Sequence, residues 1–205
     1  MTHTVGIFIY NDVEVLDFAG PFEVFCTASR LHARQYPDQP PLFDAFTIAE
    51  TRGIVLARGG LSIQPRHTIA DHPLLDVLII PGGIHTPQMQ HKAVIDWIAS
   101  IAKQVSLTAS VCTGAFLLAQ AGLLDGLPAT THREDIHDLR TAFPLVSVIE
   151  DKRWVEAGSV ITSAGISAGI DMSLYIIERL EGSELALLTA CQMEWRWDQP
   201  ENTAR

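Results

Sequence analysis

A disulfide framework, a basic surface and a metal-ligand pattern are all missing from this chain. Three cysteines stand among 205 residues, widely spaced and with no C-x-x-C pair. An odd, sparse set argues against disulfide stapling and for a reducing, cytoplasmic setting. Positive charge is scarce as well: 14 Lys and Arg face 24 Asp and Glu, for a formal net charge of -10. That balance repels phosphate backbones and speaks against a nucleic-acid partner. The eight histidines form no ligand set. His67 and His72 are five apart, as are His132 and His137, so neither pair shares a helical face. No metal and no cofactor are expected. The first apolar run is short and soon reaches Asp12 and Glu14, so no signal peptide is legible. Residues 104–124 carry no charge, but their Ser, Thr, Gln and Gly content suits two buried core elements rather than a membrane span. With neither an internal repeat nor a linker, residues 1–205 read as a single domain.

What is present is an alternation of short apolar runs with helical patterns. Residues 5–10, 43–49, 76–80, 105–111 and 160–162 read as strands, most of them apolar throughout, as in a parallel sheet covered on both faces. Residues 54–63 read as two strands joined at Gly59-Gly60, a small hairpin. Further short strands are expected at 146–150 and 153–156, around Asp151-Lys152. Pro21 suits a first helical turn, so a helix is expected from Pro21 past Leu31, with residues 11–20 a loop before it. Helices are also expected over 92–104, 134–143, from the small-residue turn at 163–171 to about Leu180, and over 183–195 with Ser183 as N-cap. Strands alternating with helices imply an open, mostly parallel sheet sandwiched between helices. Ligands in such folds bind beyond the carboxyl ends of the strands. Asp17, Gly82, Gly83 and Cys112 all follow such ends.

The stretch around Cys112 is the most informative. A β-rich run ends in Ser110-Val111-Cys112-Thr113-Gly114, and an Ala- and Leu-rich helical run follows. A small-residue turn between strand and helix exposes its central side chain, the geometry of a nucleophile elbow with Cys in the Ser position. A core thiol is the alternative, but Ser110, Thr113 and Gly114 interrupt the apolar pattern that a core strand would continue. Amides at the helix start are expected to depress the Cys112 pKa, so that it alkylates before Cys26 and Cys191, which read as core thiols.

Five strand-end signatures come in the order of a known family. They are Leu16-Asp17-Phe18-Ala19-Gly20-Pro21, Ile80-Pro81-Gly82-Gly83, Ser110 to Gly114, Ala129-Thr130-Thr131-His132, and 164–171. Together they resemble the ThiJ/PfpI superfamily over nearly the whole chain. Asp17 and the Cys112-Thr113-Gly114 elbow are similar to its isonitrile-hydrating members; sensor domains of some AraC-type regulators look alike at the same motifs. The resemblance implies a flavodoxin-like three-layer α/β sandwich, a homodimer and cofactor-free thiol chemistry on a small-molecule substrate, an isonitrile hydrated to an N-substituted formamide.

An isonitrile carbon accepts both a nucleophile and a proton. Cys112 would supply the first and Asp17 the second, if burial keeps its carboxyl protonated. Asp17 would equally serve to shape a turn. Thr113 would orient water or substrate, or satisfy amides at the helix start. The Gly83 and Thr113 amides would stabilise developing charge, with Gly82 permitting the close turn. His132-Arg133-Glu134 is similar to the His-x-Glu of class I glutamine amidotransferases but lies too early in the chain; His132 is read as a pocket residue and Glu134 as part of a helix start. Thr113 stands where PfpI-type proteases carry His, which speaks against proteolysis. A stand-alone sensor and a redox-stress protein are the alternative functions.

Overall fold

The computed structural model describes residues 1–197; the polar tail expected at 200–205 lies outside the described residues. The chain begins with strand β1 (His3–Phe8), helix α1 (Val15–Gln35) and strand β2 (Phe43–Ala49). Three short strands follow, β3 (Val55–Leu56), β4 (Ser62–Ile63) and β5 (His67–Thr68), then β6 (Val77–Ile80). Helices α2 (Thr86–Gln90) and α3 (Lys92–Ile101) lead to β7 (Leu107–Val111) and α4 (Gly114–Gln120). Beyond β8 (Pro128–Ala129), α5 (Ile136–Ala142) and β9 (Ser147–Val148) come β10 (Trp154–Ala157), β11 (Val160–Ser163), α6 (Ala168–Glu181) and α7 (Ser183–Gln192).

Seven strands form one sheet in the order β10-β11-β7-β6-β1-β2-β5, and all neighbours are parallel except β10 with β11. The buried runs explain this: every residue of β6 and β7 and the last four of β1 are buried, so these strands need cover on both faces. From β1 the chain steps one way to β2, but from β6 it steps the other way to β7. Right-handed crossovers then put α1 and α3 on opposite faces. Helices α1, α6 and α7 pack together, as do α2, α3 and α4. The result is a flavodoxin-like sandwich of three layers. The reversal of direction falls between β1 and β6, and their carboxyl ends open a crevice there. Among the described residues no helix is long and apolar enough to cross a membrane.

The hairpin expected at Gly59-Gly60 is present. β3 pairs antiparallel with β4, and Gly59 and Gly60 take φ of 74° and 82° in the turn. It is pinned against the segment after β1: Asp12 N donates to Leu56 O at 2.8 Å and Arg58 N to Val13 O at 3.0 Å.

Several local expectations are corrected. Helix α1 starts at Val15, not near Pro21, so Asp17 sits in its first turn rather than in a loop. Pro21 is inside the helix, where its missing N–H leaves the Asp17 carbonyl without its helical bond. Glu14, extended at φ -68° and ψ 126°, provides the break that starts the helix. The strands expected either side of Asp151 form in part, as Ser147–Val148 and Trp154–Ala157; β9 pairs with β8 and β10 with β11, and Asp151 between them takes φ 56°. Gly182, at φ 95°, is the N-cap of α7 in place of Ser183. Cys26 is only partly buried and Cys191 is exposed.

Candidate active site

The elbow is formed as its sequence implies, and at a conformational cost. Cys112 takes φ 56°, a left-handed conformation that a non-glycine residue holds only where surroundings impose it. Here they do. Cys112 N donates to Ser163 O and Ala164 O at 3.2 and 3.3 Å, and its carbonyl accepts from Thr131 Oγ1 at 2.8 Å. Strands β7 and β11 thus clamp the turn, and the side chain projects where the sheet ends. Contact with β6 is equally tight. A Cβ on Gly114 would lie 2.0 Å from Ile80 O, and one on Gly82 would lie 2.6 Å from Thr113 N and 2.8 Å from Asp17 Oδ2. Neither position admits a larger residue, which is how three strand ends come within reach of one another.

A cavity of about 340 Å³ opens over Cys112. Cys112, Thr113, Gly83 and His132 line it, so four of the six expected residues meet there. Asp17 and Gly82 lie behind them. Asp17 is fully buried, and its Oδ2 accepts from Gly82 N at 3.0 Å. Its Oδ1 has no hydrogen-bond partner of ordinary geometry among the described residues.

Thr113 does not offer a free hydroxyl. Its Oγ1 accepts from Gly83 N at 3.0 Å and donates to Gly83 O at 3.1 Å. The Gly83 amide expected to face developing charge is therefore occupied. The amides that act on the sulfur are those of Thr113 and Ile166, and both lower the thiol pKa. Ile166 itself takes φ 50°, an unfavourable conformation for a β-branched residue. It lies inside the small-residue turn read from the sequence, but no local signal marks a β-branched residue as the amide donor.

The acid-base character reverses one expectation. The helix start was expected to depress the Cys112 pKa; instead burial, then the neighbouring Asp17 carboxylate, push it up to about 12. The Thr113 amide pulls the other way and loses. Burial, reinforced by the Glu14 charge, likewise raises the Asp17 carboxyl to about 7, against the lowering effects of the Gly82 amide and the Cys112 thiol. The two groups act as one pair. Its first proton leaves near neutrality from the carboxyl, and its second is held by sulfur. Tyr10, behind them, donates its phenol to Pro81 O at 3.2 Å. Burial and the same two neighbours raise its pKa well above the usual value, so it stays neutral.

Other lining groups were not singled out from sequence. Glu14 and Arg58 pair at 3.2 Å across the α1 start and the hairpin. Asp135 Oδ2 lies 3.2 Å from His132 Nδ1, which also accepts from Glu134 N at 3.3 Å. His85 stacks on Phe116, and burial lowers its pKa. These arise from loop docking, which periodicity does not encode. No group of three or more His, Cys, Asp or Glu among the described residues is placed to hold a metal ion.

Comparison with known proteins places this site in context. A model of the DJ-1/PfpI family matches residues 3–179. The chain is 34% identical over 197 residues to an isonitrile hydratase of Pseudomonas putida, covering 95% of this chain and 79% of that protein. It is also 30% identical over 173 residues to the HTH-type transcriptional regulator CdhR of Pseudomonas aeruginosa, covering 84% of this chain but only 49% of the regulator. Among solved structures, a ThiJ/PfpI family protein from Pseudomonas syringae superposes with a TM-score of 0.83 at 25% identity, over all of this chain and 80% of that one. Drosophila melanogaster DJ-1beta shares the fold at a TM-score of 0.80 and 20% identity, over 96% of this chain and all of the other.

The raised thiol pKa predicts a reversed order of alkylation. At pH 7.5, exposed Cys191 should react with iodoacetamide before Cys112. Asp17→Asn removes the negative charge beside the sulfur, so the thiol pKa falls and Cys112 alkylates faster. The same substitution bears on stability. Asp17 has a folded-state pKa above its unfolded value, so the fold favours its protonated form and loses stability as pH rises from about 4 to about 7. Asp17→Asn should therefore be more stable than wild type at pH 8, by about 2–4 kcal/mol. Peptide mass spectrometry and thermal melts read both; slower labelling of Cys112 in Asp17→Asn would refute the pairing.

Proposed function

The chain belongs to the DJ-1/PfpI family, and we propose that within it the protein hydrates an isonitrile to an N-substituted formamide, with Cys112 as nucleophile and Asp17 as general acid. The observation that carries this reading is a carboxyl that still holds its proton near neutrality next to a thiol at the floor of a cavity. Similarity to an isonitrile hydratase over most of both chains supports it.

The chemistry follows from the pair. Asp17 gives its proton to the terminal carbon of the isonitrile while the Cys112 sulfur forms a bond to the same carbon. The thiol proton returns to Asp17, leaving an S-bound thioimidate. Water then adds to that carbon and its proton passes to the nitrogen. The C–S bond breaks, the formamide departs and the sulfur regains a proton. One isonitrile and one water become one formamide, with no oxidant or metal consumed. The Thr113 and Ile166 amides aim at the reacting sulfur and stabilise charge that gathers there. Thr113 Oγ1, tied to both polar groups of Gly83, holds the second strand end against the elbow. His132, which lines the same cavity as Cys112, is assigned to substrate contact.

The regulator similarity favours a second reading, a small-molecule sensor module, since the matched regulators are about twice the length that this chain covers. A redox-stress role suits the site less well, because oxidation starts from a thiolate and this thiol resists ionisation. We place the protein in a reducing, cytoplasmic setting, where its three thiols stay free. We also propose a homodimer, for which the exposed Leu187 and Leu188 on α7 offer apolar surface; a monomer in light scattering at micromolar concentration would end that idea.

Cyclohexyl isocyanide is the substrate for the test. Wild type should produce the formamide, and the rate should fall about tenfold per pH unit above pH 7 as Asp17 loses its proton. Asp17→Asn should lose ~10²–10⁴-fold in rate while staying folded by circular dichroism. Cys112→Ser should be lower still, since a serine oxygen is a poorer nucleophile than sulfur toward the soft isonitrile carbon. Turnover of Asp17→Asn at the wild-type rate would return Asp17 to a purely structural role. No hydration of any isonitrile would put the sensor reading first.

A further inference from the structure

The cavity over Cys112 is not evenly charged. Its polar wall carries three carboxylates, Glu14, Glu134 and Asp135, against a single guanidinium, Arg58. The histidines do little to redress this. Burial lowers the His85 pKa and so favours its neutral form, and His132 offsets Asp135 only when protonated. The wall is also shielded from solvent where it matters. The Glu14 and Asp135 side chains are 24% and 29% exposed, whereas Glu134 at 73% forms the rim. Partly buried charges keep more of their field than exposed ones, which salt screens over about 8 Å. Arg58 is spent on Glu14 at 3.2 Å, and Arg133 on the rim lies 3.8 Å from Glu134, so the more shielded Asp135 dominates what an entering molecule meets. Beneath it the Asp17 carboxylate adds to the same sign once ionised.

We propose that this cavity selects its reactant by charge: it admits a molecule whose tail ends in a cation and turns away one whose tail ends in a carboxylate or sulfonate. The proposal rests on the hydratase reading only for the word substrate, which becomes an isonitrile bearing an ammonium group. The nucleophile reports the field of the wall whatever reaction the protein performs.

The test uses two thiol reagents of one reactive group and opposite charge, a trimethylammonium-bearing and a sulfonate-bearing methanethiosulfonate. In each, sulfur of the reagent forms a disulfide with Cys112, methanesulfinate leaves and the thiol proton goes to solvent. Second-order rates at Cys112 are read by peptide mass spectrometry and divided by those for N-acetylcysteinamide, a neutral thiol in free solution. A charge that attracts one reagent repels the other, so the corrected cation-to-anion ratio should be about tenfold at low salt. Raising the ionic strength should bring it towards one, and the Glu134→Gln/Asp135→Asn protein should lower it without added salt. A corrected ratio of one or below for wild type at low salt overturns the proposal. The parallel assay compares kcat/KM for isonitriles with ammonium, uncharged and carboxylate tails. If no isonitrile turns over while the thiol ratio stays near tenfold, the hydratase reading fails and charge selection stands. If isonitriles turn over with no preference for the ammonium tail, the reverse holds.

Discussion

A carboxyl and a thiol buried side by side cannot both ionise near neutral pH, and the rest of the site is arranged around that constraint. Asp17 is fully buried and Cys112 nearly so. Desolvation is the largest influence on both, and the Asp17 charge opposes ionisation of the thiol, while the thiol, hydrogen-bonded to the carboxyl, lowers the carboxyl pKa. A low-dielectric site turns a modest repulsion into a decisive one. The outcome is one mobile proton held near neutrality and a second held tightly by sulfur. Proton donation, rather than a standing thiolate, becomes the distinctive capacity of this elbow.

Holding the pair together requires backbone from four strand ends. Asp17 comes from the helix after β1, Gly82 follows β6, Cys112 follows β7, and the carbonyls of Ser163 and Ala164 lie at the end of β11. Residues without side chains at 82 and 114 let these ends touch, since a Cβ at either would collide with neighbouring backbone. The strained φ of Cys112 is the cost of that convergence, of the order of 1–3 kcal/mol, and the hydrogen bonds around its amide and carbonyl offset it. A sheet whose order reverses between β1 and β6 is what makes such a meeting possible.

Much of this is legible in the amino-acid sequence. The fully apolar runs specified a parallel sheet, and the interruption of one run at Ser110, Thr113 and Gly114 marked the elbow. What misled was local chemistry overruled by packing. Pro21 looked like a helix start, yet α1 begins at Val15, because a proline inside a long, well-packed helix costs less than the buried face gains. The helix-start effect on Cys112 was read with the right sign for an isolated helix, but burial and Asp17 outweigh it. Gly83 was expected to present its amide, and the Thr113 hydroxyl takes it. Glu14, Arg58 and Asp135 reach the cavity through docking of the hairpin and of the segment after β8, contacts between residues far apart in sequence that periodicity cannot report. Ile166 was hidden for another reason: nothing about isoleucine advertises a left-handed conformation.

The central claim is that Asp17, not Cys112, gives up the first proton of the pair. Infrared difference spectroscopy reads this directly, through the carbonyl stretch of a protonated carboxylic acid. The account predicts a band present in acid, lost with a midpoint near pH 7, and absent from Asp17→Asn. A carboxyl already ionised at pH 5, with a thiolate appearing near neutrality instead, would contradict it.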